Sequence, residues 1–487
     1  LSVVIQSIFY AMGGRYIALV IQLASVMVVA RLLSPEEIGI YSISASLFGF
    51  LLLIRDFGIG SYLIQEKNLT QDVIASAFTM SLALCWSLAL FAFIVKPHLA
   101  SFYNIPAMEI IISFLCVNLL IIPFGSITLS LLKREMKFDR IIVVDVGAGI
   151  ANTVVTIVSA YNGQSYLSLA YGSLAGTIAT VCIAMFFRPK NLKYLPNIGE
   201  IRSVASFGWK ISGSNVFTQL QSSSPDLVVG KLQGPVEAVY FNKAISVFKL
   251  FDQIFQNALR PVYQSYMAGK NRRGADLKLP VLRASSIYLM LAWAFASFMQ
   301  FNSTAVVLIL FGDNWLDVVP LIEVMCLSHA LNSLFAFHTT TLLGLGKANR
   351  VLRMSIILAL AQFVVIIAYG RFDLIYIVTA LISISFVRFL TIRNDLISLF
   401  GITVKDLFGM VKVPFVISVS IYGANTVALN LVNDQISGIF VFLLSVSITA
   451  AVLIGLTFIL DNPLRDVAIE TLKALFRKRC ELRRKRI

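Results

Sequence analysis

The chain has 487 residues, of which 58% are hydrophobic and only 13% charged, with a mean hydropathy of +0.84. Soluble domains are roughly 45–50% apolar and about 25% charged, so too few charges are present to build a water-facing shell and lipid must solvate most of the surface. That excludes a soluble enzyme or nucleic-acid-binding domain despite the net charge of +15. It predicts an all-α polytopic membrane protein.

A bilayer core takes about 20 apolar residues per helix. By that measure the chain reads as about fourteen spans: 8–32, 38–60, 73–95, 108–132, 141–161, 165–187, 204–230, 236–266, 281–311, 316–343, 351–370, 374–398, 411–432 and 436–459. The opening stretch has no basic leader, so a cleaved signal peptide is not expected. Placing the N-terminus inside puts 29 of the 40 Lys and Arg on inner segments. Only Arg31, Lys96, Lys231 and Arg371 fall on outer ones, and seven lie within spans. Basic residues stay on the cytoplasmic side, so both termini are expected there, and the positive charge is mainly an orientation signal.

The first two spans return later in the chain. Residues 28–54 laid on 228–254 share eight identities: Val28, Val29, Leu32, Pro35, Glu37, Ser46, Phe48 and Ile54. Six spans, an even number, separate the copies, so the repeat is parallel. It predicts two six-helix lobes, 1–200 and 201–400, related by an axis along the membrane normal, as in transporters. Residues 401–460 then hold two additional spans. Residues 461–487 form a basic amphipathic tail, read as an interfacial anchor on an anionic inner leaflet.

The fifth, seventh and eighth spans carry polar stripes. In the eighth, Asn242, Ser246, Lys249, Gln253, Gln256 and Arg260 follow steps of four and three, which places them on one helical face. The seventh has Lys210, Ser212, Asn215, Gln219, Ser222 and Asp226, and the fifth has Asp145, Gly149, Asn152, Thr156 and Ser159. Ionisable residues within spans are Arg15, Arg55, Lys210, Lys243, Lys249, Arg260 and Arg388, with Asp56, Asp145, Asp226 and Asp252. A central charge costs about 2.5–3.5 kcal/mol in insertion experiments. Arg388, Lys210 and Arg260 are placed near span ends, where they can snorkel, and the others must face one another or water.

The stripes are therefore expected to line a hydrated cavity. Arg15, Arg55, Lys210, Lys243, Lys249 and Arg260 would bind an anionic substrate, for Arg in particular matches phosphate. Asn215, Gln219, Asn242, Gln253 and Gln256 would hydrate a hydroxyl-rich solute. Asp56, Asp145, Asp226 and Asp252 are candidates for ion coupling. The alternative is that pairs such as Arg55–Asp56 and Lys249–Asp252 only fix helix packing.

The five cysteines and three histidines are scattered without ligand spacing, which predicts no metal. None of the Gly-Lys steps has the surroundings of a phosphate-binding loop, and no cofactor is expected. Outer loops are all short, which leaves no room for an extramembrane catalytic domain.

The segments ARLLSPEEIGIYSI (30–43), RDFGIGSYLIQ (55–65), Asp226-Leu227-Val228-Val229-Gly230 and LLGLGKANR (342–350) carry a resemblance. Together they resemble the polysaccharide-synthesis branch of the multidrug/oligosaccharidyl-lipid/polysaccharide exporter superfamily. The resemblance implies spans 1, 2, 7 and 8 around a central cavity, and flipping of undecaprenyl-pyrophosphate-linked oligosaccharides across a bacterial inner membrane by alternating access. It also implies Arg15, Arg55 and Arg260 as cavity arginines, spans 13 and 14 as a groove for the lipid tail, and polymerase or export machinery as partners. Two other readings stay open: cation-coupled drug export on the same fold, disfavoured by Arg15 where that branch commonly has an acid, and a membrane-embedded polymerase or ligase.

Overall fold

The computed structural model describes residues 2–56, 58–189, 197, 199–201, 219–431 and 438–466. Every regular element among them is a helix. In chain order these are α1 (Ser2–Leu32), α2 (Pro35–Asp56), α3 (Ile59–Gln65), α4 (Gln71–Tyr103), α5 (Met108–Ile121), α6 (Pro123–Arg134), α7 (Phe138–Tyr161) and α8 (Leu167–Phe186). They continue with α9 (219–232 as described), α10 (Pro235–Arg272), α11 (Lys278–Leu310), a 3₁₀ turn (Asp313–Val318), α12 (Val319–Ser333) and α13 (His338–Gly344). The last four are α14 (Ala348–Tyr369), α15 (Leu374–Phe400), α16 (Val404–Leu431) and α17 (Gly438–Ile459).

Ten helical stretches among the described residues are long and apolar enough to cross a membrane, or eleven if the bent α5–α6 pair is one span. Large apolar side chains such as Leu90, Phe91 and Ile94 of α4 point away from the protein, more than half exposed. A surface of this kind needs lipid as its solvent, and the chain is a multi-pass membrane protein. The 38-residue α10 is not among the apolar helices, because its polar stripe lowers the hydropathy.

Local chemistry sets the helix ends. At α2 the Ser34 amide donates to Glu37 Oε2 (2.7 Å) and the Glu37 amide donates to Ser34 Oγ (3.3 Å), which satisfies two otherwise orphaned donors reciprocally. Thr403 and Asp406 repeat the device at α16. Pro123 opens α6 and lacks the amide that would continue α5, so the fourth predicted span bends by 52° there. Gly58, at φ 65°, caps the start of α3, and Pro35–Gln65 still counts as one apolar span. The repeat register is visible in the turns: helices end at Leu32 and residue 232, and the next begin at Pro35 and Pro235.

The chain forms two compact units. Unit 1 is Leu1–Lys243 with Leu308–Asp317 and Ser355–Leu374; unit 2 is Ala244–Val307, Val318–Met354 and Ile375–Ile487. In unit 1, α7 and α8 approach closely through small residues. A Cβ on Gly172 would lie 1.8 Å from Thr156 Oγ1 and 2.8 Å from the Asn152 carbonyl oxygen. Without a hydrophobic force between helices in lipid, such backbone proximity and interhelical hydrogen bonds drive association.

Unit 2 has an aromatic core in which Phe251 stacks on Phe295 at 4.5 Å, with Tyr263, Tyr288 and Phe337 around it. The added helices α16 and α17 are joined to α11 by a buried polar chain. Asn302 Nδ2 donates to Ser445 Oγ (2.7 Å), which donates to Asn425 Oδ1 (2.5 Å).

Gly172→Ala is expected to destabilise by about 1–3 kcal/mol, the usual cost of overpacking. Gly149→Ala should be tolerated, since the nearest foreign atom to its Cβ would be Ile21 Cγ2 at 3.8 Å. Thermal melting of the purified protein in detergent compares the two.

Candidate functional site

The α10 stripe is polar along its length but divides by what each side chain meets. At about 100° per residue, Lys249, Gln253 and Arg260 lie within a narrow sector, and all three are exposed. Asp252 and Gln256 fall on its edge, where α11 packs. Tyr288 of α11 donates its hydroxyl to Asp252 Oδ1 and accepts from Gln256 Nε2 (2.6 Å). Arg260 in turn donates to Gln256 Oε1. One tyrosine thus fixes the packed edge and orients the arginine at the exposed one. The other side of α10 is apolar, with Phe241, Phe248 and Phe251 buried.

At the end of α10 near Pro235, Asn242 has a different role. Its Nδ2 donates to both oxygens of Asp226 at 2.9 Å. Ser46 Oγ donates to Asp226 Oδ2 at 2.5 Å, and Ser42 Oγ lies 3.5 Å from the same oxygen. Asp226 is 4% exposed, so hydroxyls of α2 and an amide of α10 replace water around a carboxylate of α9. The cage joins α2, α9 and α10.

Other bonds reinforce the same end. Arg31 donates to the carbonyls of Leu308 (3.0 Å) and Ile309 (2.7 Å), and Trp315 Nε1 donates to Ala30 O (2.8 Å). Gln233 Nε2 reaches Gly370 O (3.0 Å) and Phe372 O (2.6 Å). The two repeat turns also touch directly: a Cβ on Gly39 would lie 2.1 Å from Pro235 O, and one on Gly230 would lie 2.6 Å from Ile43 Cδ1. All of these contacts lie within unit 1. They form a latch at the turn ends of the paired helices.

The remaining predicted positions are dispersed. Lys243 lies about 100° from Asn242 on α10, and its ammonium sits over the rings of Phe311 and Trp315 at 5.0 and 5.1 Å. It is therefore off the face that bears Lys249 and Arg260. Arg55 is half-buried in the last turn of α2. Asp145 is exposed on α7. Gln219 donates to Ser223 Oγ (2.8 Å) on its own helix. Lys210 and Asn215 lie outside the described residues, as do the side chains of Arg15 and Asp56.

Sequence reasoning misplaced Arg388 and passed over the surroundings of two histidines. Arg388, expected near a span end, stands mid-way along α15, and its Nε has no hydrogen-bond partner among the described residues. Asp252 is within electrostatic reach of both Arg388 and His329. His329 packs on Phe248 at 4.9 Å between ring centroids. His338 Nε2 lies 3.4 Å from Asp395 Oδ2, whose other oxygen accepts from Arg350. The histidines were read only for metal spacing. The usable signal was that each is a titratable residue inside an apolar run.

The family described as polysaccharide biosynthesis protein matches residues 28–320. The succinoglycan biosynthesis transport protein ExoT of Rhizobium meliloti is 23% identical over 370 residues, covering 72% of this chain and 71% of its own. The lipopolysaccharide biosynthesis protein WzxC of Escherichia coli is 20% identical over 319 residues, 64% of each chain. Among solved structures, the lipid II flippase MurJ in an inward closed conformation superposes with a TM-score of 0.75 at 13% identity, covering 93% of this chain and 98% of that one. An inward-facing multidrug resistance MATE family transporter of the MOP superfamily gives 0.65 at 16% identity, covering 81% and 99%. At such identities the structural likeness establishes the fold.

Asp226→Ala should strip the Asn242 and Ser46 donors of their acceptor. Each buried unsatisfied group costs about 1–3 kcal/mol. The expected outcome is a lowered melting temperature together with faster labelling, by an aqueous thiol reagent, of a cysteine placed at Ser42. Unchanged labelling would mean that the cage does not hold the turn ends together.

Proposed function

The chain belongs to the polysaccharide biosynthesis protein family, and from that premise we propose that it is a flippase for lipid-linked oligosaccharide repeat units. It carries them across the bacterial inner membrane for exopolysaccharide, capsule or O-antigen assembly. The names of ExoT, WzxC and MurJ, proteins of polysaccharide transport, lipopolysaccharide synthesis and lipid II flipping, support this reading. The observation that carries it is the exposed row Lys249, Gln253 and Arg260 on a helix long enough to span the membrane. Exposed cations on a spanning helix are within reach of an anion that enters from water, and a pyrophosphate head group is such an anion.

Eleven residues separate Lys249 from Arg260, about 16 Å along the axis at 1.5 Å per residue. The two cations are thus successive stations and do not clamp one phosphate together. Arg260 lies about 37 Å from the Pro235 end, toward the inner surface, where it meets the substrate first. Lys249 receives it mid-membrane. Both termini are cytoplasmic by the distribution of Lys and Arg, which puts the latch on the outer side. Breaking the latch exposes the path outward, and making it closes that side again.

Asp226 is the ion-coupling position of this cycle. Protonation weakens its hold on Asn242 and the two serines, because a neutral acid accepts weaker hydrogen bonds than a carboxylate. Asp252 is held by Tyr288 and orients Arg260 through Gln256. The membrane potential adds a second driving force. A head group of charge −2 moving outward across 100 mV, inside negative, is driven by the potential and gains about 4.6 kcal/mol. Spans 13 and 14 border the lipid tail, and polymerase and export machinery receive the product.

Lys249→Ala and Arg260→Ala are each expected to cut surface polysaccharide at least tenfold and to accumulate lipid-linked oligosaccharide on the inner leaflet, read by leaflet-selective enzymatic labelling. Normal export in both variants would refute the two stations. In proteoliposomes, collapsing the potential with valinomycin and potassium should slow flipping. An unchanged rate would remove the electrical drive from the mechanism.

A further inference from the structure

Unit 1 holds a cavity of about 550 Å³ between α1, α7 and α8, away from α10. That volume is within the range of about 300–1,000 Å³ occupied by small-molecule sites. Gln22 is ten residues from the Leu32 end of α1, Asn152 nine from the Tyr161 end of α7, and Thr177 ten from the Leu167 end of α8. Each is therefore about 14–15 Å deep, near the middle of a hydrocarbon core about 30 Å thick. The three helices bring amides and hydroxyls to one level.

Those groups have unspent hydrogen-bonding capacity. Gln22, Ser25, Asn152 and Thr153 line the cavity and make no hydrogen bond to protein among the described residues. Thr177 and Thr180 donate backward to Ser173 O (3.0 Å) and Gly176 O (2.8 Å), which leaves their lone pairs as acceptors. Gln22 is exposed and neither amide is among the buried unpartnered groups, so the cavity holds water or a polar ligand that replaces it. The lining contains neither an ionisable nor an aromatic side chain. It has nothing to hold a phosphate and no surface for a flat hydrophobic cation, and an acyl chain would leave the amides unsatisfied. Mixed neutral donors and acceptors match a polyhydroxyl ligand.

We infer that this cavity is a carbohydrate subsite, which binds uncharged sugar units of the head group through Gln22, Asn152 and the α8 threonines. The inference rests on the flippase reading and adds a second contact to it: α10 handles the charged phosphates, and the α1–α7–α8 cavity handles neutral sugar.

The test uses the full chain in lipid nanodiscs and methyl glycosides of neutral disaccharides, with binding read by saturation-transfer NMR. Gly149→Leu fills the cavity from a position whose Cβ has room, and Thr153→Val removes one hydroxyl at nearly constant volume. The expected result is saturation of the glycosides by the natural chain, a loss of at least tenfold in Gly149→Leu, and about threefold in Thr153→Val. Both variants should melt within a few degrees of the parent. Undiminished saturation in both variants, or none of the disaccharides saturated by the natural chain, overturns the subsite. Inorganic pyrophosphate binding, followed by ³¹P NMR on the same samples, reports on the flippase reading by itself: its absence in the natural chain refutes that reading whatever the glycosides show.

Discussion

A polar group placed in hydrocarbon must find a partner, and the structure follows from how each one does so. Asp226 could not remain buried as a lone carboxylate, since an isolated buried charge costs far more than a fold's net stability. Ser42, Ser46 and Asn242 supply the donors. Because they come from different helices, satisfying one charge also fixes three helix positions. The same logic joins α16 and α17 to α11 through Asn302, Ser445 and Asn425. Packing in lipid brings no hydrophobic gain, so such bonds carry orientation as well as energy.

The constraint also separates what is fixed from what can act. Asp252 and Gln256 bond to Tyr288 and form a frame, and Lys249 and Gln253 stand on the exposed face. Arg260 belongs to both, tethered to Gln256 yet exposed. A tethered arginine loses less conformational entropy on meeting an anion than one that must first be ordered. The latch is built from many bonds of ordinary strength, several of them to backbone carbonyls. Such bonds contribute about 0.5–1.5 kcal/mol each, so together they hold one state without making it irreversible.

Legibility in the sequence varied with the range of the interaction. The spans were legible because 20-residue apolar runs report on the solvent without reference to any neighbour. The matching turns were legible for a similar reason: Pro35 and Pro235 both open helices, and proline's missing amide fixes that position locally. The bend at Pro123 had a residue signal as well, but the hydropathy continues across it and hid it. Among the site residues, the steps of four and three marked the α10 face. They did not tell Lys249 from Gln256, since both satisfy the same periodicity.

The amino-acid sequence by itself determined the solvent, the helical class, the polar face of α10 and the helix starts at Pro35 and Pro235, because each depends on composition or on neighbours within a few residues. Tertiary structure decided which polar side chains are spent on the protein. Tyr288 lies 32 positions from Gln256 and Asp226 lies 180 from Ser46, and no periodicity within one helix specifies a partner on another. It also placed Lys243 against aromatic rings and gathered Gln22, Asn152 and Thr177 around one cavity, since only the rotation and depth of packed helices set which faces meet.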